Sequence, residues 1–445
     1  MARRLGRCCA TGCGWGCRWG GAGDAVALVT RRKQNPSDGI QVLQPARCGK
    51  RRETTAVTMN VLLDCGAIKE GGGVQLALNF LDALERDPPP GVKITILVPD
   101  GGQLRDAVRK RADTTVLFLP QPYVSRLWFE TFSLPHLLKN HAIDVIFTFF
   151  GAGLPHPRSV KSVVTVAYPI ICYPESPFWR YLGKPDRLWN WFRNKVRVRR
   201  LRQADLVLAE TEIMARRLAA HAGVPSGKIR ILPPAVSGYV TQRRPAPATT
   251  GAPARFLFVS GVALHKNLWR LQEVARELQR RGQTGAQIRF LLTVDEAAFK
   301  SVLREGSDEE LIREYFEFLG PIPPTAIQRP YEAASFLVTL SDLESFSNNY
   351  MEAWCVGVPI IASDRDFARS ICGPSAVYVE PHDPRAISDL LVSCATDGDL
   401  ARSLVAAGRE RLARLPDTRQ RVRLILSYLE SVVGRPAGAV ATPAD

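Results

Sequence analysis

From Met59 onward, short apolar runs alternate with amphipathic stretches, and this alternation breaks once and then restarts. No other feature restricts the fold as much. Strands separated by helices cannot close as hairpins, so they pair in parallel with helices covering both faces of the sheet. The spacing predicts strands at Asn60–Cys65, Lys93–Val98, Thr115–Leu119, Asp144–Phe149, Ser162–Ala167, Asp205–Ala209 and Ile229–Leu232. Helical periodicity falls between them, as at Val74–Leu84 and Glu212–His221. The break is Ser237–Pro253, SGYVTQRRPAPATTGAP, which reads as a linker. After it come strands at Phe256–Ser260, Ile288–Val294, Glu317–Leu319, Phe336–Leu340, Pro359–Ala362 and Val377–Val379, with helices such as Leu268–Arg280 and Arg385–Cys394. The expectation is an α/β chain with two doubly wound parallel-sheet domains, 59–236 and 254–433, joined by a linker at 237–253. Ligands of such sheets bind beyond the carboxyl ends of the strands. The last helix, around Thr418–Val433, is free to pack back on the first domain, and 434–445 reads as a mobile tail.

The 445 residues suffice for two domains with full cores. Hydrophobic content of 46% and charged content of 23% place the chain among globular proteins. No run of 18 apolar residues exists, so no membrane-spanning helix is expected. The net charge of +16 points to nucleic acid until it is located: residues 1–58 hold eleven Lys/Arg against three acids, half of the excess. They also hold five of the ten cysteines. This segment lacks the apolar h-region of a signal peptide, and Cys8, Cys9, Cys13 and Cys17 fit no familiar zinc spacing. It reads as a disordered extension or as residues upstream of a true start at Met59. Cys65, Cys172, Cys355, Cys372 and Cys394 are scattered in apolar surroundings and read as reduced core residues of a cytoplasmic protein. The six histidines show no metal-ligand spacing.

Glu344-Ser-Phe-Ser-Asn-Asn-Tyr-Met-Glu352 carries two carboxylates through a strand-to-helix turn, with the apolar run Ala334–Leu340 before it and Gly357 and Pro359–Ala362 after it. Amides at a helix N-terminus point at an anion. Carboxylates on either side of that anion suit hydroxyl groups, the order found in sugar, diphosphate and ribose. The same residues also fit a capping box at Asn349–Glu352, with Glu344 an ordinary loop acid. Lys266 stands at the start of a helical stretch, where cations are disfavoured, so its position suggests a neighbouring anion. Gly71-Gly72-Gly73 follows the first strand. Such glycines let a backbone approach a phosphate or acceptor closely, as they also make flexible turns. The spacing G-x-G-x-x-G is absent there.

Four segments of the second half, in order, resemble the nucleotide-binding domain of the GT-B glycosyltransferases of family 4 (group 1), which are retaining and metal-independent. They are Phe256–Asn267 (FLFVSGVALHKN), Phe318-Leu-Gly320 with Tyr331-Glu-Ala-Ala-Ser-Phe-Leu-Val, Glu344–Glu352, and Gly357-Val-Pro-Ile-Ile-Ala-Ser. The first half matches more loosely, through Gly71–Gln75 and Ala204–Glu212. The resemblance implies a GT-B architecture, two Rossmann-like domains facing a cleft. By position, it makes Glu352 the ribose ligand and Glu344 the contact to the donor sugar. Ser345, Phe346, Ser347, Asn348 and Gly261 would supply amides to sugar and phosphate. Lys266 would neutralise the diphosphate, and Gly71, Gly72 and Gly73 would line the opposite wall. Members often carry a His where Ala167 and Tyr168 stand, and an Arg partner to the Lys has no counterpart between Val259 and Leu264. Tyr168 and Glu175 are the acceptor-side candidates in their place.

The implied activity is retaining transfer of a hexose-type sugar from a UDP-, GDP- or ADP-sugar to a glycan or lipid-linked acceptor, as in polysaccharide biosynthesis. No cofactor and no metal are expected. The alternative is a non-catalytic sugar-nucleotide or glycan-binding module on the same fold. Trp189, Trp191 and Phe192 interleave with Arg187, Arg193, Lys195, Arg197, Arg199, Arg200 and Arg202. That pattern fits a helix lying on an anionic membrane, a nucleic-acid contact, or a solvated face whose aromatics turn into the core. With half the excess charge outside the fold, nucleic acid is not expected as a partner. The expected location is cytoplasmic, with 187–202 the segment for a peripheral contact on the inner face of the membrane.

Overall fold

In the computed structural model, residues 42–43, 59–68, 72–109, 115–120, 123–235, 238–241 and 253–434 are described. Fourteen strands among them form two sheets. The first holds β1 (Val42–Leu43), β2 (Met59–Asp64), β3 (Val92–Pro99), β4 (Thr115–Leu119), β5 (Val145–Thr148), β6 (Lys161–Val166), β7 (Leu206–Ala209) and β8 (Ile229–Ile231). The second holds β9 (Ala254–Phe258), β10 (Ile288–Leu292), β11 (Phe316–Phe318), β12 (Phe336–Thr339), β13 (Ile360–Ser363) and β14 (Ala376–Val379). Every strand expected from the sequence is present, shifted by at most two residues at an end. All pairings are parallel except β1, which adds antiparallel to β4 at the sheet edge. The rest of the first 58 residues, with the cysteines placed there, and the tail after Gly434 lie outside the described residues.

The strand orders are β1-β4-β3-β2-β5-β6-β7-β8 and β11-β10-β9-β12-β13-β14. Each sheet therefore reverses its winding once, between β2 and β5 and between β9 and β12. In the second sheet the helices Leu271–Arg280 and Asn348–Val356, which follow β9 and β12, pack on opposite faces and open a crevice at the carboxyl ends of these strands. In the first sheet no helix stands between β5 and β6. Burial explains why such strands read as unbroken apolar runs. Leu62, Leu97, Ile146, Val163 and Val164, like Phe256, Leu257, Leu337, Ile360 and Ile361, are essentially inaccessible because helices cover both faces.

The helix Thr418–Val433 opens with a capping box between Asp417 and Gln420. Although it follows the second sheet in sequence, its Val422, Ile425 and Leu429 lie in the core of the first, with Val61, Phe80 and Phe147. Arg421 Nε donates to Pro233 O (3.0 Å) and the Tyr428 hydroxyl to Ile231 O (3.1 Å). The two sheets are also tied directly. Arg217 pairs with Asp366 at 2.6 Å, and the Tyr181 hydroxyl lies 2.8 Å from His382 Nδ1.

Two packing details position the segment after β12. Gly357, at φ 88°, ends the helix Asn348–Val356 and donates its N–H to Ala353 O (2.8 Å). A left-handed turn there favours glycine. In the neighbouring helix Gly398–Ala413, a Cβ on Gly408 would fall inside the contact radius of the Trp354 ring. Alanine has the higher helix propensity, by about 1 kcal/mol, but the overpacking it causes costs about 1–3 kcal/mol. Gly408→Ala is therefore expected to lower the thermal midpoint by a few degrees, measured by differential scanning fluorimetry. An unchanged or raised midpoint would show that Trp354 yields freely.

Candidate functional site

The chemistry-bearing residues of the second sheet gather at its switch point. β9 and β12 are paired neighbours, and their carboxyl ends lead into Ser260–Lys266 and Ser341–Ser347. Lys266 sits in a single helical turn, Leu264–Lys266, and its ammonium pairs with Glu344 Oε1. The anion that the lysine's position suggested is thus supplied in part by the protein itself. The Ser341 hydroxyl donates to the same carboxylate oxygen at 2.9 Å.

Asn267 and Asp342 fix these two loops together. Asn267 adopts φ 56° and is fully buried. Its amide donates to Leu340 O (2.8 Å) and to Asp342 Oδ2 (2.9 Å), and Asp342 N donates to His265 O (2.8 Å). Asp342 also meets His382 Nε2 at 2.6 Å and Arg365 Nη2 at 3.3 Å. Burial alone would raise the Asp342 carboxyl, but the bonds from His382 and Asn267 outweigh it and leave the carboxyl lowered. Burial, reinforced by the Lys266 charge, pushes His265 down to about 4.

The helix Asn348–Val356 starts beside this pair with no side chain capping its N-terminus, which leaves first-turn amides for an anion. Asn349 Nδ2 ties the first turn to Val259 O at 2.7 Å. Glu352 lies on the next turn and is only 4% exposed. Its partner is the Tyr331 hydroxyl, which donates to Oε2 at 2.9 Å. The capping-box alternative is thereby corrected: the helix begins at Asn348, too early for Glu352 to serve as its third residue. Burial pushes the Glu352 carboxyl up to about 7, and the Tyr331 bond only partly offsets this. Lys266, Glu344, Ser341, Asn349 and the ends of β9 and β12 line one recess.

The first half meets this region through the ends of β6 and β7. Ala167 O accepts the Ser345 hydroxyl at 3.2 Å. Glu210, directly after β7, is 5% exposed. Burial raises its carboxyl to about 7, with Arg421 and Ser345 pulling down and Glu344 pushing up. Tyr168 lies beneath Arg197 at 5.1 Å, and burial raises its phenol. Glu175 pairs with Arg217 at 2.7 Å, on the bridge to Asp366. Gly72 and Gly73 open the helix Gly72–Arg86 after β2, whereas Gly71 lies outside the described residues. Open space surrounds the Cβ position of Gly261, so packing does not require glycine there.

The structure brings Lys266, Glu344, Ser345 and the start of the helix carrying Glu352 together. Tyr168 and Glu175 adjoin residues that touch this region, Ala167 and Ser176, the latter donating its hydroxyl to Asp342 O at 3.4 Å. Their own side chains meet Arg197 and Arg217. Sequence reasoning did not single out Glu210, Tyr331, Asn267 or Asp342. The signal for Glu210 was available: an acid directly after a predicted buried strand lies at a carboxyl end. Among the described residues, no three His, Cys, Asp or Glu come together as a metal site, and no helix is long and apolar enough to cross a membrane.

Glu210 and Glu352 have native carboxyls raised above the usual 4.5. Between about 4.5 and 7 the native state holds protons that the unfolded chain has lost, so their contribution to stability declines as pH rises through that window. The gain in thermal midpoint from Glu352→Gln is therefore expected to be larger at pH 8 than at pH 5, in melts without nucleotide. Equal differences at both pH values would mean an ordinary carboxylate.

Two family models match the sequence, Glycosyltransferase Family 4 over residues 70–237 and Glycosyl transferases group 1 over 241–411. No curated protein matches it. Among solved structures, a glycosyltransferase from Rickettsia africae superposes with a TM-score of 0.62 at 14% identity, covering 84% of this chain and 99% of its own. A sucrose-phosphate synthase from Thermosynechococcus elongatus gives 0.62 at 17% identity, covering 84% and 98%. Anabaena HepE in complex with UDP-glucose gives 0.60 at 14% identity, covering 84% and 100%.

Proposed function

Since the chain belongs to the group 1 glycosyltransferases of GT-B fold, we propose that it transfers a hexose-type sugar from a nucleotide sugar to a glycan or lipid-linked acceptor, with retention of configuration and without a metal ion. The observation that carries this reading is the grouping at the second switch point. One ammonium, one mostly covered carboxylate paired with it and one buried carboxyl surround an uncapped helix start.

Departure of a nucleoside diphosphate concentrates negative charge on its phosphate oxygens. Fixed cations and amides that meet this charge lower the barrier. In this reading Lys266 leaves Glu344 for the diphosphate, and Glu344 turns to a hydroxyl of the donor sugar. Amides from Ser345, Phe346, Ser347 and Asn348, and that of Gly261, complete the cradle. Glu352, steadied by Tyr331, takes the ribose hydroxyls. Gly71, Gly72 and Gly73 allow close approach from the other half, and Tyr168 and Glu175 are the acceptor-side candidates. The acceptor attacks the face from which the leaving group departs, and a departing phosphate oxygen takes its proton. Contact between the halves over the donor excludes water that would hydrolyse it. The UDP and UDP-glucose bound to HepE make uridine nucleotides the first donors to test. We place the reaction in polysaccharide or lipid-linked glycan assembly, in the cytoplasm and peripheral on the inner face of the membrane.

Nucleoside diphosphate release from a panel of UDP-, GDP- and ADP-sugars tests the reading, with chelator present and product configuration read by NMR. Glu352→Ala is expected to weaken donor binding about tenfold or more. Lys266→Ala is expected to lower turnover about 100-fold while changing donor affinity less. Donor binding without release across the panel would establish a binding module instead. Loss of activity with chelator, or an inverted product, would overturn the corresponding part of the mechanism.

A further inference from the structure

Two helical segments of the first half leave large apolar side chains uncovered. Among the described residues, Leu127, Trp128, Phe132, Leu188, Trp189, Trp191 and Phe192 are the exposed large hydrophobics, each between 49% and 68% accessible. This corrects one sequence expectation, since the aromatics of the basic helix do not turn into a core. The helix, Lys184–Gln203, buries only Leu201. Leu188, Phe192, Lys195 and Arg199 recur along one stripe, apolar in its first half and basic in its second. Lys195 lies over the Trp191 ring at 5.4 Å.

The second segment runs through Tyr123–Trp128, a wider turn at Phe129–Ser133 and Leu134–Asn140. Its exposed positions carry Leu127, Trp128 and Phe132, with the two rings 5.6 Å apart. Buried Glu130 joins the segments: it takes Arg126 at 2.9 Å from its own helix and pairs with Arg200 of the basic helix. Arg200 and Arg126 are thus neutralised internally, Arg197 turns in over the Tyr168 ring and Arg202 Nε donates to Ala222 O. Lys184, Arg187, Arg193, Lys195 and Arg199 of the basic helix remain exposed.

We infer that these two segments form one docking face for an anionic lipid bilayer, the aromatics entering the interface and the basic residues meeting lipid phosphates. The inference gives a face and a partner to the peripheral placement proposed above, on which it rests. Lys184–Gln203 holds eight Lys/Arg and a single acid, Asp186. Charge therefore selects against two other occupants. A second copy would set this helix against its own like charge, and residues 1–58, with eleven Lys/Arg and three acids, would meet it with the same sign. An anionic surface matches both features, since apolar insertion and basic attraction add at a membrane interface.

The test is co-sedimentation of the full chain with phosphatidylcholine vesicles, with and without one-third phosphatidylglycerol, in the absence of donor and acceptor. Binding is expected only to the anionic vesicles, weakening with salt and shifting tryptophan emission to the blue. Trp191→Ser/Phe192→Ser and Leu127→Ser/Phe132→Ser are each expected to weaken it about tenfold, while thermal midpoint and UDP binding stay as in the parent. The inference is overturned by no binding, by equal binding to neutral vesicles, or by aromatic variants that bind like the parent. Self-association in buffer that these variants abolish would assign the face to a second copy. Tighter binding to an RNA oligonucleotide that displaces the vesicles would assign it to nucleic acid. Because vesicle binding is read without turnover, its failure leaves glycosyl transfer untouched, and the donor panel tests transfer without vesicles.

Discussion

The buried amide of Asn267 holds the second half's two chemical loops in a single arrangement. Its donors reach Leu340 O and Asp342 Oδ2 from the far side of the β9–β12 pair. Asp342 in turn gathers His382 and Arg365 from two further loops. Four strand ends are thus referred to one carboxylate. A buried polar network is unforgiving, because loss of one partner strands the others away from water. Lys266 immediately precedes Asn267, and Glu344 lies just beyond Asp342. Their proximity is set by the scaffold and does not depend on their own attraction.

That distinction bears on what the lysine and glutamate can do. Lys266 and Glu344 are mostly covered, with side chains 22% and 12% exposed, so each charge needs a partner throughout, and a ligand that takes the lysine must also satisfy the carboxylate. The buried carboxyls behave differently. Glu352 and Glu210 are withdrawn from water and raised to about 7, so their charge state responds to whatever enters beside them. One side of the site is fixed by hydrogen bonds and the other is electrostatically adjustable.

The strands were legible because parallel strands covered on both faces leave an uninterrupted apolar signature, as in Val145–Thr148 and Ile360–Ser363. Glu344 and Glu352 were legible because a loop, a helix start and a following Gly357 lie contiguously in sequence. Tyr331 reaches Glu352 from a separate helix, and Glu210 approaches Ser345 only because two sheets meet. Neither contact leaves a local periodic trace. The segment Tyr123–Asn140 leaves a weaker trace, since its wider turn at Phe129–Ser133 breaks the regular helical period. The aromatics at 189–192 show the limit of composition, since sequence could not decide whether they faced core or solvent.

The final helix has a consequence for how the chain can be divided. Val422, Ile425 and Leu429 complete a core whose other walls were laid down hundreds of residues earlier. The polypeptide therefore passes between the halves twice, once after β8 and again before Thr418. A gene split between the sheets would produce a leading fragment with an open apolar face and a trailing one with a helix that has nothing to cover. During synthesis, too, the first half stays unfinished until Thr418–Val433 has left the ribosome.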